Sequence, residues 1–123
     1  MKRFLLTACA AVVALSFAHA SDGSWTWDYK PLKASYSIYS GESGEREAPT
    51  AIDRKLAIVV EGTAAKEIFD SLYPDAKVTC SQEKGERLRS KGKVSCIYQP
   101  QTKYRCFLGF NLRTGESIAG ASC

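Results

Sequence analysis

Apolar positions alternate with polar ones along much of this chain, and only one stretch changes to a three-four spacing, so the pattern reads as strands around a single helix. Ser24 to Lys30 carries Trp25, Trp27 and Tyr29 at alternate positions, which predicts a short strand with one aromatic face. Docked on the core, that face would be structural; left exposed, it would be a binding surface. Ala34 to Tyr39 predicts a second strand, with Tyr36 and Ile38 on one face and Tyr39 on the other. Ser40 to Thr50 is rich in Gly and Glu, lacks apolar residues, and reads as an exposed loop. In Arg54 to Glu61 the run Leu56-Ala57-Ile58-Val59-Val60 predicts a central strand buried on both faces.

Gly62 breaks that strand, and Thr63 is the expected N-cap of a helix reaching about Tyr73. Ala65, Ile68, Phe69 and Leu72 form its apolar stripe, opposite Lys66, Glu67, Asp70 and Ser71. Pro74 and Asp75 end it. The last third predicts an antiparallel meander: Glu86 to Arg89, a turn at Ser90-Lys91-Gly92, Lys93 to Tyr98, then Lys103 to Leu112. Arg113-Thr114-Gly115 is the next turn, with Gly115 free to take positive φ, and Glu116 to Ser122 the returning strand. The expected fold class is therefore α+β: an antiparallel sheet of five to six strands, one packed helix and two disulfides.

The first residues change the chemistry available. Lys2 and Arg3, the apolar stretch Phe4 to Phe17 and the small-x-small triplet Ala18-His19-Ala20 form a signal peptide, so residues 1–20 are expected to be removed and residues 21–123 to make one exported domain. Cleavage would take with it the sole histidine, His19, the sole methionine, Met1, and the odd cysteine, Cys9. Leu6-Thr7-Ala8-Cys9 also fits a lipidation box. Only Phe4 to Ala8 would then precede the cysteine, short of the roughly 7–15 apolar residues a signal needs, so cleavage after Ala20 is preferred. The apolar run is also too short for a permanent anchor, given the about 20 residues a spanning helix requires. The style of the signal points to a bacterial periplasm.

Cys80, Cys96, Cys106 and Cys123 remain, and in an oxidising compartment four cysteines predict two disulfides. Neighbours in sequence favour Cys80 with Cys96 and Cys106 with Cys123. The second choice joins Cys96 to Cys106, whose positions point to one core across a hairpin, and leaves Cys80 for Cys123. No Cys-x-x-Cys occurs and no histidine would survive cleavage, which argues against zinc and against thioredoxin-like redox chemistry. No metal or cofactor is expected.

Without an imidazole, Ser-His-Asp and Cys-His catalysis are excluded from the processed chain. No phosphate-cradling glycine motif is present either. Carboxylates could still act as acid and base, but Glu42, Glu45, Glu47, Glu61, Glu67 and Asp70 lack the apolar context that raises a carboxyl pKa, and read as solvated surface. Charge is uneven: residues 21–83 carry 7 Lys and Arg against 11 Asp and Glu, and residues 84–123 carry 8 against 2. Arg87, Arg89 and Lys91 are thus candidates for an acidic partner, although they also suit the solvent side of strands guarding an edge. The stretch lacks the interleaved aromatics of a nucleic-acid platform. Trp25, Trp27, Tyr29 and Arg113 complete the candidate binding set, since aromatics and arginine dominate binding hot spots.

Ala48-Pro49-Thr50 through Asp53-Arg54-Lys55-Leu56, with Leu112-Arg113-Thr114-Gly115-Glu116-Ser117 and Cys123, resembles a group of small exported proteins of Gram-negative bacteria over residues 34–123. The resemblance implies an exported domain; it brings no activity and no site residues. In size, export and disulfides the chain is also similar in kind to periplasmic lysozyme inhibitors, without their inhibitory loop motifs. The leading expectation is a non-enzymatic periplasmic binding or inhibitor protein, its partner another envelope protein or an exogenous hydrolase. The alternatives are a carboxylate-dependent cell-envelope hydrolase, or an envelope structural or stress protein with no tight partner.

Overall fold

The computed structural model describes residues 25–123, and the expected signal peptide and its cleavage site lie outside them. Seven strands and one helix follow in the order β1 (Lys33–Glu42), β2 (Glu45–Glu47), β3 (Lys55–Glu61), α1 (Gly62–Ser71), β4 (Arg87–Lys91), β5 (Val94–Gln99), β6 (Lys103–Asn111) and β7 (Ser117–Ile118). All pairings are antiparallel, in the spatial order β2-β1-β3-β6-β5-β4, with β7 on the end of β6 that β5 leaves free. The fold class is α+β. Its two short strands, β2 and β7, take the sheet past the five to six strands expected.

The apolar stripe of α1 forms as its spacing predicts, and Ala65 and Phe69 are fully buried against Val60, Cys96 and Cys106. Phe69 meets the Tyr104 ring edge-on at 5.1 Å. Truncating a buried phenylalanine costs about 3–5 kcal/mol, against about 0–1 for an exposed ion pair, so this contact rather than surface charge holds helix to sheet. The helix begins at Gly62, after an extended Glu61 that supplies no side-chain cap. Thr63 lies within the first turn instead of capping it, because β3 runs directly into the helix at Gly62, whose φ is +68°.

Other expectations also change. Trp25 to Lys30 is irregular, since among the described residues no strand lies beside it to complete a ladder and Pro31 offers no N–H. Ser40 to Glu47, read as a loop, is a hairpin: β1 continues to Glu42 and β2 pairs with it. β2 is exposed along its whole length, so it needs no apolar residues. In β3 Ala57 and Val60 are buried but Leu56, Ile58 and Val59 only half so: α1 leaves Leu56 and Ile58 partly open on its own face, and Val59 lines a cleft on the opposite one. The β4–β5 turn is Gly92-Lys93, one step later than expected, and β7 is confined to Ser117–Ile118. The remainder, Ala119 to Cys123, crosses the face opposite α1 as a strap. The Arg113-Thr114-Gly115 turn does form, with Gly115 at φ +79° and its N–H on the Asn111 carbonyl at 2.7 Å.

The disulfides are Cys96–Cys106 and Cys80–Cys123, not the neighbour pairing preferred from spacing. Cys96 and Cys106 are directly opposed in the β5–β6 ladder with Cα atoms 4.0 Å apart, so register rather than loop length decides the partner. Cys80–Cys123 closes a separation of 43 residues against 10, worth about 4 against about 3 kcal/mol in the chain-entropy model. It ties the strap to the loop before β4.

Two carboxylates fasten that loop. Glu86 is buried and accepts from the Ser81 N–H at 3.0 Å, the Ser81 hydroxyl and Gln99 Nε2 at 2.9 Å, and these donors bring its pKa down to about 2. Asp75 accepts from Arg87 Nε at 2.7 Å and Arg89 Nε at 2.6 Å, which lower it to about 2 as well. Folded carboxyls with depressed pKa values stabilise fully above their unfolded values, here 4.5 and 3.8, and lose that contribution as pH falls towards about 2. Urea unfolding midpoints should therefore decline over that acid range. Glu86→Gln should lower the midpoint at pH 7 and make the acid decline shallower.

Candidate recognition surface

Trp25 to Leu32 forms an arm that lies against the first turn of α1. Trp25 and Trp27 are 72% and 87% exposed, and Tyr29 is fully exposed. The two indoles touch edge to face with centroids 4.6 Å apart. A cleft of about 450 Å³ separates the arm from Thr63, Ala64 and Glu67, and Lys30 Nζ reaches Glu67 Oε1 at 3.5 Å across it. The arm stays outside because the helix stripe already fills the core at this end of the sheet, leaving the aromatics no pocket to enter.

Leu32 continues this surface onto the sheet. With Ala34, Tyr36, Leu56, Ile58 and Leu108 it lines a second cleft, of about 400 Å³ and almost wholly apolar. Tyr36 is 75% exposed. The alternation of Tyr36 and Ile38 places them on one face and Tyr39 on the other, as expected; Tyr39 is buried, while the helix is too short to cover Tyr36. The result is one apolar region running from the arm across β1.

The basic candidates are distributed differently. Arg87 and Arg89 lie against the last turn of α1, where both guanidiniums face the Phe69 ring, at 5.0 and 4.3 Å from its centroid. Arg89 Nη1 also donates to the Phe69 carbonyl at 3.0 Å, satisfying a C-terminal helix acceptor. Both therefore serve the fold and share Asp75. Lys91 is exposed at the far end of β4, and Arg113 is exposed in the β6–β7 turn, so neither joins the aromatic arm. Periodicity gave no sign of the Asp75 clamp, which spans residues distant in sequence.

A third cleft, about 300 Å³, lies on the opposite face between β1 and the strap, with Ser35, Ser37, Arg46, Val59, Arg105 and Phe107 among its walls. Arg105 Nη2 donates to Gln99 Oε1 at 2.9 Å, which couples this face to Glu86. Sequence reading passed over Arg105 because it alternates within an otherwise apolar strand.

The carboxylates take ordinary surface positions. Glu42, Glu45 and Glu47 are exposed on the β1–β2 hairpin, while Glu67 and Asp70 pair with Lys30 and Lys66. Asp53 is also lowered, by the Gly41 N–H and then by Lys55. These shifts run opposite to the direction a general acid needs. Among the described residues no group of three or more His, Cys, Asp or Glu is placed to hold a metal ion, and no helix is long and apolar enough to cross a membrane. Comparison with protein-family models, curated proteins and solved structures found no match.

Both tryptophans of the sequence sit in the arm, so indole emission should report solvent contact rather than core packing. Native protein should show water-like emission, open to acrylamide quenching, that changes little across a urea transition followed by circular dichroism. A large blue-shifted native signal would place the indoles in the core.

Proposed function

We propose that this is an exported, non-enzymatic binding protein of the bacterial envelope that engages a protein partner through its aromatic arm. The observation carrying this reading is the exposure of Trp25, Trp27 and Tyr29 beside an apolar sheet face. Contiguous exposed apolar surface is uncommon on a solitary domain and marks interaction sites, and tryptophan and tyrosine are the side chains that most often anchor them. Two disulfides in a small domain suit the oxidising periplasm, in line with the N-terminal signal pattern. An inhibitor of a hydrolase is one form such binding takes: the arm is short, aromatic and free to enter a cleft.

The test uses the chain recovered from the periplasmic fraction, where the intact mass should correspond to a start at Ser21. Immobilised protein is exposed to envelope extract and to a panel of secreted hydrolases at moderate salt. A partner should be retained, and Trp25→Ala with Trp27→Ala should weaken its retention at least tenfold without moving the thermal transition. Retention unchanged by the double variant, or no partner from either source, would overturn the reading.

A further inference from the structure

The strand β1 pairs with β3 and β2 along successive stretches and on opposite sides. Its inner side pairs with β3 from Lys33 to Tyr39, whereas β2 occupies the outer side only at Ser40, Gly41 and Glu42. Among the described residues nothing pairs with the outer side from Lys33 to Tyr39. The Gly41 N–H is directed to the β3 side, onto Asp53 Oδ2 at 2.8 Å. By strand alternation the even positions Ala34, Tyr36 and Ile38 then turn their N–H and C=O groups outward. Ala34 to Tyr39 contains no charge and no proline, the usual devices that protect an edge.

We propose that this edge pairs with the same edge of a second copy, antiparallel about a two-fold axis at Tyr36. That register sets Ala34 opposite Ile38 and Tyr36 opposite itself, so every outward backbone group gains a partner. Charge selects the orientation. One end of the edge is basic, with Lys30 and Lys33, and the other is the hairpin whose Glu42, Glu45 and Glu47 outnumber Arg46, which turns to Tyr39 and the Gly120 carbonyl. Antiparallel pairing brings the basic end of each copy to the acidic hairpin of the other, whereas parallel pairing would align like charges. Lys30 and Lys33 are free to exchange partners, since their pairs with Glu67 and Glu61 are exposed at 3.5 and 3.7 Å. The ladder ends at Lys33, because Leu32 would fall opposite Ser40 of the other copy, whose outer side β2 already holds, and Pro31 has no N–H to continue it. Tyr36 and Ile38 of both copies then lie side by side on the α1 face, joining the two apolar clefts into one.

The ladder is short, so association in the range of about 10–100 µM is expected. Sedimentation equilibrium of the oxidised exported chain should show the average mass rising from one chain towards two across that range. Tyr36→Lys, which sets two ammonium groups across the axis, should leave a single-chain mass throughout while circular dichroism is retained. As a second variant, Lys30→Glu should weaken the dimer several-fold and Lys30→Glu with Glu47→Lys should restore it, since Lys30 reaches the α1 side and Glu47, opposite Ser40, shares the Tyr36 face. A single-chain mass for the unaltered protein up to about 1 mM, a dimer indifferent to Tyr36→Lys, or a charge exchange that fails to restore pairing would each overturn the proposal. A dimer removed by Trp25→Ala with Trp27→Ala instead would do so as well, by placing the contact on the arm.

Discussion

A single short helix has to cover one face of a sheet wider than itself. Ten residues of α1 span about 15 Å, while six strands side by side extend over about 24 Å. The core therefore gathers where the helix lies, around Phe69, Ala65 and the Cys96–Cys106 bridge, and the sheet beyond it carries its apolar side chains only half covered. The apolar face of β1 and the open edge belong to that uncovered part, and the arm leads onto it from the first turn of α1. What the fold lacks in coverage becomes the surface on which recognition is proposed.

The opposite face is closed by chain rather than by an element of secondary structure. The strap crosses it from β7 to Cys123 and is tied to Cys80, whose loop is held by Glu86. Gln99 links that carboxylate to Arg105 in the middle of the sheet. Part of the charge in this protein is thus invested in the fold: Asp75 engages the two arginines nearest the helix end, and Glu86 organises a loop. The positive balance of the last third is less available to an acidic partner than its count implies.

Local pattern made the helix stripe, β3, the long β6 and the final turn legible, because each depends on neighbours in sequence. It misread features that depend on what lies alongside. Trp25, Trp27 and Tyr29 alternate as strand residues do, yet alternation cannot say whether another strand is present to pair with. Glu45, Arg46 and Glu47 lack every apolar sign of a strand and still form one, since the backbone alone completes an edge hairpin. The cysteines contained both answers: face-sharing pointed to Cys96 with Cys106, loop length pointed elsewhere, and the ladder register chose. The candidate binding residues were visible as residue types, but the separation of Arg87 and Arg89 from the exposed arm follows from the placement of Asp75, twelve positions from Arg87.

Gly109 and Gly120 show how closely the strap lies on the sheet. A Cβ on Gly109 would sit 2.7 Å from the Ile118 carbonyl oxygen, and one on Gly120 would collide with the backbone of Leu108. Backbone meets backbone there, so neither position has room even for a methyl group. In a saturation screen this pair would behave as the least substitutable spot in the protein, while the exposed arm, where binding is proposed, would tolerate almost anything under selection for folding alone. Intolerance to substitution and participation in recognition would then map to different parts of the molecule, and a screen read for the first would point away from the second.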